Sequence, residues 1–160
     1  MNIVKPNRKK HGYAQQLNAP PEAVFPLLCP VLEADWVPGW MPELVISHSG
    51  VCEQECIFIT PTELSSEHEN PIWIVTKYDP SIWTVEMYKV VPRHTISKLE
   101  ITLVESSSTS TTAHISYEIT SIGKEGDKFM EEFTEKWYED FMVEWETALN
   151  HYLDTGKKIA

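Results

Sequence analysis

"DKFMEEFTEKWYEDFMVEWETALNHYL" (127–153) decides what the rest of the chain must build. Phe129, Phe133, Trp137, Phe141 and Trp145 recur at a spacing of four, with Met130, Met142, Ala148, Leu149 and Tyr152 beside them. Glu131, Glu132, Glu135, Lys136, Glu139, Asp140 and Glu144 take the other side, so the stretch reads as one long amphipathic helix over 127–153. At 1.5 Å per residue it would run roughly 40 Å, longer than any strand in the chain, and Gly156 supplies a stop. So broad an apolar stripe has to be buried, and a helix of this length has to lie across a sheet to bury it.

Upstream the pattern shortens. "ELVISHSG", "ECIFITPT", "IWIVTKY", "IWTVEMYKVV", "TISKLEITLVE" and "TTAHISYEITSI" are rich in β-branched and aromatic residues and are separated by turn residues, as consecutive antiparallel strands are. "DPSI" places Pro80 at the favoured second position of a type I turn, which makes a hairpin, and "ESSSTSTT" is the polar turn between the last two strands. Further upstream, "HGYAQQL" is a first strand ending at "NAPP". Pro21 suits a first helical turn and Glu22 complements its dipole, while Pro26 and Pro30 keep that helix short or break it in two. "VLEADW" gives a second helical turn. The order is strand, one or two short helices, six strands and a long helix: an α+β fold with a curved antiparallel sheet of six to seven strands wrapped on the C-terminal helix.

A chain of 160 residues is most simply one domain over 1–160, with residues 1–10 as a flexible basic leader. The net charge of -11 opposes phosphate backbones and anionic surfaces, and the only dense basic run is Lys5 to Lys10, so nucleic acid is excluded as a partner. No run of 18 apolar residues exists to span a membrane. Cys29, Cys52 and Cys56 are an odd set without a CxxC pair, which fits a reducing cytoplasm and structural thiols. If "CEQECIFIT" is a strand, Cys52 and Cys56 lie about 13 Å apart along it, too far for a shared metal or a disulfide, whereas a bend at the start of the strand would bring them together. The six histidines show no metal-binding pairing, and GxSxG, P-loop and GxGxxG motifs are absent. Neither a metal nor a cofactor is expected.

The order of elements, with "LNAPPEAVFPLL", "CPVLEADWVPGW" leading into "MPELVISHSG", "WIVTKYDPSIWTVEMYKVVP" and "TTAHISYEIT", resembles the SRPBCC superfamily from about His11 to Leu153. This is the helix-grip fold of START lipid-transfer domains, birch-pollen-allergen-like proteins, polyketide cyclases and Hsp90-activator homology domains, and the stretches look closest to bacterial members without assigned activity. The resemblance implies a small hydrophobic or aromatic ligand held between the long helix and the sheet. It leaves two alternatives open: a cyclase or dehydratase acting on a polyketide-type or aromatic substrate, and a module that binds a protein partner. Monomer and homodimer are both compatible with the chain.

Within that architecture "ADWVPGWMPEL" (34–44) puts Trp36 and Trp40 at one rim of the cavity, where they either line its mouth or pack under the short helices. Strand alternation places Trp83, Val85 and Met87 on one face, with Glu86 and Lys77 outward. Ala113, Ile115, Tyr117 and Ile119 form the apolar set of the last strand, so Tyr117 brings a hydroxyl into the interior. Phe133, Trp137, Phe141 and Trp145 would face it from the helix, with Met130 and Met142 as adjustable fillers. The ligand-binding candidates are therefore Trp36, Trp40, Trp83, Met87, Tyr117, Trp137, Phe141, Met142 and Trp145, any of which serves equally well as core. Tyr117 and His94 are the weak catalytic candidates; His94, in "VPRHTI", reads foremost as a solvated turn residue, and His48 and His114 as surface.

Overall fold

A computed structural model describes residues 1–62 and 69–159. Seven strands form one antiparallel sheet: β1 (Arg8–Leu17), β2 (Leu44–Ile46), β3 (Ile57–Ile59), β4 (Ile72–Asp79), β5 (Thr84–Val91), β6 (Thr95–Ser107) and β7 (Ser110–Ser121). Their spatial order is β1-β7-β6-β5-β4-β3-β2, a meander from β2 to β7 that β1 closes by pairing with β7. Between β1 and β2 the chain crosses the sheet through α1 (Pro21–Val24) and two 3-10 turns, Phe25–Leu27 and Leu32–Asp35. Pro26 is the reason the first helix does not continue, since it lacks the N–H that a further α-turn needs.

The hairpins form where the sequence places turn chemistry. Asp79 accepts from the Ser81 N–H at 3.0 Å and from its hydroxyl at 2.6 Å, and Trp83 closes the turn at φ 52°. Strand β4 does not keep strict alternation. A bulge between Val75 and Lys77 shifts the register against β5, so Trp73 and Val75 point inward, Lys77 outward, and Tyr78 inward again. The outward assignment of Lys77 therefore holds although it lies two residues beyond Val75.

Of the residues expected in a flexible basic leader, Arg8, Lys9 and Lys10 are in the sheet: β1 begins at Arg8, and Lys9 faces inward. The helix expected over 127–153 is two helices, α2 (Lys124–Glu132) and α3 (Glu135–Thr155). The break has identifiable causes. Thr134 is extended and its side chain accepts from the Trp137 N–H at 3.1 Å, capping α3, while the Lys9 ammonium donates to the carbonyls of Met130 and Phe133 at the end of α2. His11 Nε2 sits 3.3 Å from the Phe133 carbonyl oxygen. Helix α2 meets the β5–β6 turn backbone to backbone: a Cβ on Gly126 would lie 2.0 Å from the His94 carbonyl oxygen.

Helix α3 lies on the sheet, held to β1 by Gln15 Nε2 donating to the Met142 carbonyl at 2.9 Å and Asn150 Nδ2 donating to the Gln16 carbonyl at 2.8 Å. Its buried side is Tyr138, Met142, Ala148 and Leu149, packed over Leu99, Ile101, Ala113 and Ile115 in one core. Among the described residues no helix is long and apolar enough to cross a membrane.

Candidate functional site

The interior between α3 and the sheet is lined by a chain of aromatic rings. Trp36 meets Trp145 edge-on at 5.1 Å, Trp145 meets Phe141 at 6.2 Å, Phe141 meets Tyr117 at 6.3 Å, and Tyr117 meets Tyr138 at 5.9 Å. Trp36 is fully buried, its indole N–H donating to the Leu27 carbonyl at 3.0 Å, so it backs the others without exposing surface. Trp40 donates to the Pro30 carbonyl at 2.7 Å and packs edge-on to Phe58 and Trp73, both at 6.3 Å. Both tryptophans thus pin the crossover to the grip, and only Trp40 keeps partial exposure.

Met87 and Met142 are buried core, and Trp83 packs edge-on to Phe25 at 5.5 Å. Trp137 departs from expectation. It is 44% exposed, stacked on Phe141 at 5.6 Å along the flank of α3, and Tyr138 takes the inward position, donating to the Ile115 carbonyl at 2.9 Å. The break before Glu135 resets the helical phase, so the four-residue stripe ceases to mark the buried side. His94 also departs from the solvated reading: it is buried, with Nδ1 3.1 Å from Thr95 Oγ1 and its ring 5.7 Å from Phe129. It fills the joint between the β5–β6 turn and α2. His48 and His114 are exposed, as expected.

Among the described residues, the Tyr117 hydroxyl and the Glu33 carboxyl are polar groups inside the grip without a hydrogen-bond partner, as are the Ser97 and Tyr78 hydroxyls. Among the described residues no buried side-chain nitrogen or oxygen is sealed off without a partner, so each of these groups must border accessible space. Yet the Tyr117 and Glu33 groups are deeply enclosed. Burial pushes the Tyr117 phenol well above its ordinary range, with smaller contributions from Tyr138 and Glu33, and burial alone pushes the Glu33 carboxyl up to about 8.

Glu33 escapes sequence reading because "VLEADW" is too short to show a period. The 3-10 turn places it inward: its N–H donates to the Cys29 carbonyl at 2.8 Å, and Trp36 and Val37 donate back to its own carbonyl. When ionised, Glu33 would push the Tyr117 phenol and the Cys52 thiol further up. The Cys52 N–H donates to the Cys29 sulfur at 3.0 Å, and burial raises the Cys52 and Cys56 thiols above their usual range. Lys89, opposite Ser97 and Trp73 on neighbouring strands, also faces inward, its ammonium 5.0 Å from the Trp73 ring centre. Concavities of about 500 Å³ and 210 Å³ lie on the outer face of the sheet, near Ser116 and Tyr88, away from every candidate ring.

A seven-stranded antiparallel sheet gripping a C-terminal helix, with a short helical crossover after β1, recurs in solved structures. Norcoclaurine synthase from Thalictrum flavum superposes with a TM-score of 0.67 at 15% identity, over 96% of this chain and 100% of that one. The protein has the helix-grip fold. The ZhuI aromatase/cyclase from Streptomyces sp. R1128 shares this helix-grip architecture with a TM-score of 0.64 at 13% identity, over 92% of this chain and 94% of that one. Ara h 8.0201 does so with a TM-score of 0.60 at 9% identity, over 91% and 97%. No family model matches the sequence, and no curated protein does.

Proposed function

We propose that the protein binds a small hydrophobic or aromatic molecule between α3 and the sheet. The observation that carries this reading is Tyr117, whose phenol is enclosed by protein yet partly accessible and unpartnered, beside the Phe141 and Tyr138 rings. Space bordered by aromatic faces and a few unpartnered polar groups is what a small-molecule site needs. The named neighbours support the class of function no further than the shared fold. Native mass spectrometry of gently purified protein, with tryptophan quenching by fatty acids, flavonoids and aromatic polyketides, tests it. A co-purified mass or saturable quenching is expected; a clean apo mass with no quenching overturns it.

A second reading, a module that docks a protein partner, has an observation of its own. On the outer face Leu44, Ile46, Ile72 and Ile74 are each at least 36% exposed, and Ile57 and Ile59 pair between them in register. Such a contiguous branched-aliphatic face is the kind of surface that a partner covers.

A further inference from the structure

We propose that Glu33 is the polar anchor of the interior site, and that the molecule held there carries a basic nitrogen, an ammonium or amidinium group on an apolar or aromatic body. The inference rests on the small-molecule reading above and narrows it to one ligand class.

Buried polar groups in folded proteins are almost always hydrogen-bonded, because an enclosed group without a partner forfeits its water at full cost. Glu33 is 7% exposed and has no hydrogen bond to its carboxyl. Its position is not an accident of a loose surface loop, since its main chain is bonded on both sides, to Cys29 and to Trp36 and Val37. The carboxyl is held in place by its own main chain and enclosed by the surrounding protein. What is missing is a donor, and a ligand is the component that can supply one.

The surroundings select the kind of donor. Trp36, three residues on, begins the ring chain through Trp145 and Phe141 to Tyr117, and Glu33 acts on Tyr117 at the far end of that chain. A carboxyl and several aromatic faces around one space is the chemistry that holds an organic cation: the carboxylate pairs with it and the ring quadrupoles stabilise its remaining surface. A fatty acid or other carboxylate would meet a second acid and the same negative ring faces. The titratable groups that face Glu33 are the Tyr117 phenol from β7 and the Cys52 thiol from the β2–β3 connection, both neutral at pH 7. Of the inward-facing cations, Lys9 is engaged with the Met130 and Phe133 carbonyls at the end of α2, and Lys89 lies with its ammonium 5.0 Å from the Trp73 ring centre.

The test uses three probes of nearly one shape: 2-(1-naphthyl)ethylamine, 2-(1-naphthyl)ethanol and 1-naphthylacetate, titrated into the full chain with tryptophan emission as readout. The amine is expected to bind about tenfold or more tighter than the alcohol, with the acetate weakest. In Glu33→Gln the amine should lose that advantage while the alcohol keeps its affinity. Equal binding of amine and alcohol, tightest binding of the acetate, or an amine preference that survives Glu33→Gln overturns the anchor and leaves the site itself standing. Failure of all three probes removes the site and the anchor together. A second measurement needs no variant: calorimetry of the wild type at pH 7 in two buffers of different ionisation heat. Because the empty carboxyl holds its proton to about pH 8, pairing with an ammonium should release close to one proton and the alcohol none. Equal proton uptake or release for both ligands overturns the inference.

Discussion

A carboxyl that keeps its proton to about pH 8 in the folded chain, against 4.5 for the free group, makes the unliganded protein sensitive to base. Below pH 4.5 Glu33 is neutral folded and unfolded, so its burial adds no ionic penalty. Between 4.5 and 8 the unfolded chain gives up the proton while the folded one retains it, and stability falls by up to about 1.4 kcal/mol per pH unit from this group. Above 8 the penalty is complete. Glu33→Gln should therefore match the wild type near pH 4.5 and exceed it by several kcal/mol at pH 8, read as the difference between two series of urea midpoints; parallel series would mean that the carboxyl is solvated. Glu33 was not legible in the sequence, because one acidic residue in a short turn looks the same inward as outward. Tyr117 was legible, because strand alternation fixes its side of the sheet.

At the scale of elements, the informative difference is the helix break. The spacing of Phe129, Phe133, Trp137, Phe141 and Trp145 continues across residue 133 as though one helix ran through; the Thr134 cap and the contacts from β1, by Lys9 and His11, are why it does not. Two substitutions separate local from tertiary causes. Thr134→Ala removes the cap of α3 and should cost about 1 kcal/mol. Gly126→Ala sets a methyl group 2.0 Å from the His94 carbonyl, which the α2 and β5–β6 backbones cannot both accommodate, and should cost about 2 kcal/mol or more. Chemical denaturation checks both; a Gly126→Ala protein of wild-type stability would mean that α2 does not dock where the structure has it. The strands were legible from period and turn residues, apart from the bulge in β4, whose extra residue leaves no mark in composition.

At the scale of the molecule, the grip leaves two apolar surfaces: the interior, and the outer face of β2, β3 and β4. The second is open to direct test. Ile46→Lys with Ile74→Lys places two charges on exposed positions and should leave stability within about 0.5 kcal/mol, while abolishing any self-association or partner capture that depends on this face. Light scattering across a concentration series measures it; association unchanged by both lysines would acquit the patch.

The sequence by itself determined the class of fold and the order of elements, because period, turn chemistry and β-branched composition are local properties; with bulky residues on both faces of the central strands, it did not determine which of those faces looks inward. It determined that the interior would be aromatic. Tertiary structure alone decided that Trp137 lies on the flank and Tyr138 beneath it, that His94 is buried, and that Glu33 is enclosed. Each of these depends on how distant segments meet. A helix phase is reset by a lysine from the first strand, a turn is buried by a glycine from the first of the two C-terminal helices, and a carboxyl is enclosed by a sheet and helix that follow it in the chain.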